Sequence, residues 1–296
     1  MVLCTVLITF YNRVPIGSLL SQLSQKPFIS ECHKERIATW ERFKNIQALV
    51  LVFAMILAVI GQILFSLLLR LTKADPNDWK LGYGRITIMN ITYSPNFECF
   101  YIYQSISVMY GMVSYVVITI LITGVFDYIA TQFKILQIDL SNMLYKSNSV
   151  KEKITTWDFV HKQVKEFVTY HVHVSKVVDQ VIEVFSEVIF CMFIGIVTVI
   201  CVNVYRASRL PMQDVNAFRI LLEAVIGSFC TVLICNAGEN LTHESERMLD
   251  FAYDVDFVGT DLRFQKSLVI IMRKSQEPVR LKAGKLIDIS LVTFAW

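Results

Sequence analysis

The sequence predicts an all-α, polytopic membrane helical bundle. Two long uncharged runs and the placement of the basic residues predict it. Between Lys44 and Arg70 lie 25 residues without a formal charge, and between Glu98 and Asp127 lie 28. An α-helix rises about 1.5 Å per residue, so about 20 apolar residues cross a hydrocarbon layer of roughly 30 Å. A helix of a soluble core is rarely this long and this apolar on every side. The 296 residues are 54% hydrophobic, with a mean hydropathy of +0.51. Charged residues, 18% of the chain, cluster as alternating spans and loops require. A net charge of +3 is too small to argue for a nucleic-acid partner.

Four full spans follow, at 46–69, 100–126, 188–205 and 218–238. The third is bounded by Glu187 and Arg206. The fourth has its uncharged core at Ala224–Gly238 and extends back across Arg219 and Glu223 to Phe218. Those two charges stand four residues apart, share a helix face and partly neutralise each other. Residues 1–12 are uncharged but too short to cross, and they lack the basic start of a signal peptide. Residues 286–296 form a second short apolar stretch, interrupted by Asp288. Both read as partial spans, so the expectation is a fragment of a longer membrane protein.

Lysine and arginine set the orientation. Six precede the first span, seven lie between spans two and three, and eight follow span four; the alternate loops hold the other seven of the 28. The basic segments are therefore expected in the cytoplasm. Of the two sequons, Asn90-Ile91-Thr92 falls in an outer loop and Asn240-Leu241-Thr242 falls inside, so Asn90 alone is expected to carry glycan.

Between Asp127 and Lys176 the chain is patterned rather than slack. Phe126, Ile129, Phe133, Leu136, Leu140 and Leu144 recur at three- and four-residue spacing, which predicts that span two continues inward as an amphipathic helix. The break Lys146-Ser-Asn-Ser149 ends it, and helical pattern resumes from Thr156, so 127–180 reads as a cytoplasmic helical extension. The stretch Asn240–Met272 also reads as helical, within an inner region spanning 239–285. Turn formers sit in the outer loops, at Asp75-Pro76-Asn77-Asp78, Ser94-Pro95-Asn96 and Pro211.

The chemistry-bearing residues do not assemble into a catalytic or metal pattern. His171 and His173 are two apart, which puts their rings on different sides of a helix. No phosphate loop, nucleophile elbow or zinc-protease motif occurs in the sequence. No catalytic residue, cofactor or metal is expected. The seven cysteines form no CxxC pair and read mostly as small hydrophobes, with a Cys99–Cys201 bridge left open. Asp179, Glu183 and Glu187 share one helix face; they read either as a solvated helix end or as a cation path or patch for a basic partner. Aromatics crowd the outer entry to span two, at Tyr93, Phe97, Phe100, Tyr101 and Tyr103, followed by Gln104. They read as interface anchors or as the wall of an apolar pocket between helices.

The C-terminal region carries a resemblance. Gly238-Glu-Asn-Leu-Thr-His-Glu-Ser245 is followed by Ala252-Tyr253 with Phe257, Arg263 through Leu268, Met272-Arg-Lys-Ser-Gln-Glu-Pro278, Leu281-Lys-Ala-Gly284 and Ser290-Leu-Val-Thr-Phe294. This order of motifs resembles the insect odorant receptor family, and Ser94 to Gln104 is similar to the family's entry to its fourth helix. The resemblance implies a seven-helix insect chemoreceptor, with the present spans as helices three to six, the first stub closing helix two and the last opening helix seven. Helix one, most of helix two and the outer half of helix seven would be missing. It further implies a subunit of a tetrameric, ligand-gated cation channel, in which a variable subunit binds a small volatile odorant and a co-receptor subunit completes the hetero-tetramer. Inner helix extensions would form the inter-subunit anchor. The implied location is the plasma membrane, with lipid around the spans, in the dendrite of an olfactory sensory neuron. The family usually has Trp where Phe257 stands. The inner loop between helices four and five lacks the co-receptor's long insertion, which points to a tuning subunit. From depth and chemistry, Phe65, Tyr101, Gln104, Met109 and Cys201 are expected to line the odorant pocket. A gustatory receptor is the nearest competing reading. A G-protein-coupled receptor would need the reversed basic bias, and a transporter would show broken helices and internal repeats.

Overall fold

The computed structural model describes residues 2–25, 28, 34–72, 96–149, 157–209, 215–255, 257–258, 260–284, 287–290 and 292. Among these, the chain forms α1 (Val2–Tyr11), α2 (Arg13–Leu23), α3 (Lys34–Thr72), α4 (Asn96–Ser149), α5 (Trp157–Ser208), α6 (Val215–Tyr253), α7 (Leu262–Ser275) and a short hairpin of β1 (Lys282–Ala283) and β2 (Ile287–Asp288). Helices α3, α4, α5 and α6 are each long and apolar enough to cross a membrane. The four spans read from the sequence fall within them. At 54 and 52 residues, α4 and α5 are each about 80 Å long, far more than the roughly 30 Å of a hydrocarbon layer. Each must continue well past it.

Local chemistry sets where helices stop. α4 ends at Ser149, inside the Ser/Asn break. The helical reading of Asn240–Met272 is corrected: α6 stops at Tyr253 and α7 begins after Asp261. Asp254, Asp256 and Gly259 disfavour helix in between. Asp261 then starts α7 as its N-cap, its Oδ1 accepting from the Arg263 N–H at 2.7 Å. The sequon at Asn90 lies outside the described residues, and most of 286–296 does as well.

The chain divides into two compact units. The larger holds residues 3–41 and 121–296, and the smaller holds 42–120. In the larger unit α5 packs against α2, α6, α7 and β1, and α7 folds back on α6. A seam of buried α5 residues carries this packing. Phe167, Val174, Val181 and Val188 recur every seven residues, interleaved with Val178, Phe185 and Met192. Ile122, Phe126, Leu136, Ile234, Leu241 and Met248 fill the facing core. In the smaller unit, α3 exposes Phe43, Ile46, Leu49, Phe53, Leu57, Ile60 and Leu64 on several sides, as a helix solvated by lipid does.

Candidate functional site

The N-terminal half of α4 carries an inward stripe. Phe97 is 2% exposed, and Phe100 and Tyr101 pack against it. The rings of Phe97 and Tyr101, one turn apart, stack at 6.4 Å with 8° between their planes. The Tyr101 hydroxyl donates to the Ile63 carbonyl of α3 at 2.9 Å. Because that helical carbonyl has a second lone pair, it accepts the bond without breaking its own helix. The hydroxyl is thereby engaged in helix pairing. Gln104 lies three residues further along the same face and is half-buried.

The other expected pocket residues are placed differently. Met109 is 49% exposed, on a face turned away from Gln104. Cys201 is an exposed free thiol on α5, and Cys99 is likewise free. The Phe65 side chain lies outside the described residues. Tyr101 and Gln104 are thus the two that one helix face brings together. Asn203, a buried amide on the α5 face that also carries Ile196, was not singled out by the sequence reading, and among the described residues no contact ties it to Tyr101 or Gln104. Its signal was a lone amide within the uncharged run 188–205.

The C-terminal motifs build a second arrangement, a clasp between α4, α5, α6 and the final hairpin. Glu244 is the centre, its side chain 4% exposed. Its carboxylate meets Lys134 at 3.6 Å and Arg247 at 3.5 Å. Gln137 Nε2 donates to the Glu244 carbonyl at 2.8 Å and to Oε2 at 3.3 Å. One turn earlier, Asn240 Nδ2 donates to Asp127 Oδ1 at 3.1 Å. A carboxylate buried without such partners would cost several kcal/mol, so these contacts fix the register of α6 on α4. Ser245 accepts the Val279 N–H at 3.0 Å. Ser186 on α5 donates to the Lys282 carbonyl at 2.8 Å, and its own carbonyl accepts from Gly284 at 3.0 Å.

Two glycines let the clasp close. Gly284 has φ +58°, and a Cβ there would stand 2.8 Å from the Phe190 ring. A Cβ on Gly238 would stand 3.0 Å from Ile289 and 3.3 Å from Leu281. Beside them a cavity of about 700 Å³ is lined by Asn236, Glu239, His243, Glu246, Arg280 and Ser290, among others. Its polar lining suits water and ions better than an apolar volatile. Deeper in the α5 seam, the His171 ring stacks on Phe167 at 6.3 Å and meets Phe133 edge-on at 6.5 Å. It lies 17 residues before the span at 188–205. Burial holds its pKa below the ordinary 6.5, and the Lys274 ammonium lowers it further.

Comparison with known proteins agrees with this architecture. The family model for the 7tm odorant receptor matches residues 1–295. Odorant receptor 67a of Drosophila melanogaster is 29% identical over 150 residues, covering 50% of this chain and 34% of the relative. Putative odorant receptor 85d of the same fly is 27% identical over 126 residues, 43% of this chain and 30% of the relative. The chain thus spans about a third of the length of the curated relatives it matches. The olfactory receptor OR5 of Machilis hrabei has the same fold at a TM-score of 0.75 and 14% identity, over 99% of this chain and 73% of that one. Its structure in complex with eugenol aligns equally well. By a match that runs from the first residue to the last but one, the chain belongs to the 7tm odorant receptor family.

Proposed function

We propose that this chain is an odorant-specific subunit which binds small volatile odorants and, with a co-receptor subunit, forms a ligand-gated cation channel. The family match over residues 1–295 is the observation that carries the proposal. It favours smell over the gustatory reading and receptor function over catalysis. The eugenol complex of the Machilis receptor supports a small-molecule ligand for a bundle of this shape. The proposed pocket draws on Phe65, Tyr101, Gln104, Met109 and Cys201, with Tyr101 and Gln104 foremost because they share the inward face of α4. A ligand opens such a channel only by binding the open state better than the closed one.

The partner proposal has its own support. α7 buries Phe264, Leu268 and Ile271 and leaves Leu262, Val269 and Ile270 exposed. An apolar strip of this kind, on a helix expected in the cytoplasm, fits the subunit anchor with the co-receptor. The proposed location is the plasma membrane of the olfactory dendrite, with the basic segments inside.

Expression of a full-length receptor that contains this chain, together with an insect co-receptor, tests the reading. Odorant-evoked cation current that requires both subunits is the expected result. Delivery to the surface without current from any odorant of a broad volatile panel would overturn it. Glycan at Asn90 and none at Asn240 is the expected sidedness; the reverse pattern inverts every span.

A further inference from the structure

One face of α6 changes character along its length. Val225, Phe229, Asn236, Glu239, His243 and Glu246 follow one another at intervals of three, four or seven residues, so they share one side of the helix. The first two are apolar and stand 66% and 53% exposed. The last four are polar and line the cavity of about 700 Å³ beside the hairpin. The uncharged core of span four ends at Gly238, so the change falls where hydrocarbon gives way to headgroups. From Phe229 to Glu239 the helix rises about 15 Å, half the thickness of a hydrocarbon layer.

The cavity carries charge of both signs. Glu239 and Glu246 stand a turn either side of His243, and Arg280 comes from the chain between α7 and β1. Two carboxylates against one guanidinium leave the described wall net negative. A simple anion therefore meets more repulsion than attraction, and a simple cation meets the guanidinium as well as the carboxylates. A ligand that carries both charges satisfies both. Guanidinium holds phosphate through paired N–H bonds, and a carboxylate accepts strongly from an ammonium N–H.

We propose that this cavity holds the headgroup of a zwitterionic aminophospholipid of the phosphatidylethanolamine class, with an acyl chain laid along Val225 and Phe229. Its phosphate faces Arg280, and its primary ammonium faces Glu239 and Glu246. A choline headgroup has the same charges but no N–H to donate. A serine headgroup adds a carboxylate to a wall that is already net negative. Both fit less well. The lipid joins the hydrocarbon face of α6 to the clasp, apart from the odorant face of α4. The proposal rests on α6 spanning a bilayer and not on odorant binding.

Phe229→Trp places a fluorescent reporter on the path of the acyl chain. The full-length receptor that contains this chain is reconstituted in phosphatidylcholine vesicles doped with a minor fraction of lipid brominated on its acyl chains. Bromine quenches Trp on contact, and the reporter's share is the difference from receptor without it. Brominated phosphatidylethanolamine should quench severalfold more than brominated phosphatidylcholine at the same fraction. Glu246→Gln with Arg280→Gln should abolish that difference; should the pair fail to reconstitute, Arg280→Gln alone carries the comparison. Equal quenching by the two lipids overturns the proposal. Stronger quenching by brominated phosphatidylserine, or a difference that survives the substitutions, overturns it as well. The readout needs neither odorant nor current, so it stands or falls separately from the channel reading.

Discussion

The two halves of α4 lie on one continuous helix and have opposite construction. From Asn96 to Ile120, one face is inward and half-buried around Phe97, Tyr101 and Gln104, while Ile102, Tyr103, Ile106, Met109 and Tyr110 are exposed. From Leu121 onward, Ile122, Val125, Phe126, Ile129, Phe133, Leu136 and Leu140 are buried. Asp127, Lys134 and Gln137 add polar contacts to α6. The C-terminal half is built to hold one register. The N-terminal half has few fully buried contacts, and segments of that kind open and adjust at lower free-energy cost.

The largest expected effect tests the rigid half. Lys134→Ala with Gln137→Leu leaves the buried Glu244 carboxylate with Arg247 alone and should cost about 3 kcal/mol, seen as a lower apparent Tm in detergent. Gln104→Leu in the other half should stay within about 0.5 kcal/mol. Equal losses would erase the contrast. Glycines give the next test. Gly284→Ala forces a Cβ into the Phe190 ring at positive φ and should cost about 2 kcal/mol or more. Gly61→Ala on α3 meets nothing within 4 Å and should be neutral or stabilising by up to about 1 kcal/mol.

Function should show the reverse order. Tyr101→Ala and Gln104→Ala should each shift odorant potency by about tenfold, the equivalent of roughly 1.4 kcal/mol, with surface expression retained. Met109→Ala and Cys201→Ala should shift it less. Dose–response curves in cells that also express the co-receptor check this, and a larger shift at Met109 would turn the ligand face of α4 around.

Particular residues show what was legible in advance. Charge-free runs marked the spans because lipid tolerates few charges, and Lys146–Ser149 marked the end of α4 because Ser and Asn compete with helical hydrogen bonds. Helix rotation was not legible. The N-terminal part of α4 is apolar on all sides, so Met109 and Tyr101 looked equivalent until neighbouring residues chose a face. Glu244 was visible only as a motif letter, since its partner Gln137 is 107 residues away in sequence. The break at Tyr253 was lost because the apolar spacing continued across it.

His171 gives the smallest test, and it separates the halves by pH. The ring occupies a seam position on α5 between Phe133 and Phe167, and burial with the Lys274 charge disfavours its protonated form. Its folded pKa therefore lies below the ordinary 6.5, so the unfolded chain binds the proton first as pH falls. The stability it contributes is complete above about pH 6.5 and is lost as pH drops from there toward the folded pKa. His171→Leu should remove that part of the acid sensitivity and leave apparent Tm at pH 8 nearly unchanged. The readout is the slope of apparent Tm between pH 7 and 5 for the two proteins. A parallel slope would mean that the ring takes up its proton as readily in the folded seam as in the unfolded chain, and the tight half of the molecule would then be wetter than its packing shows.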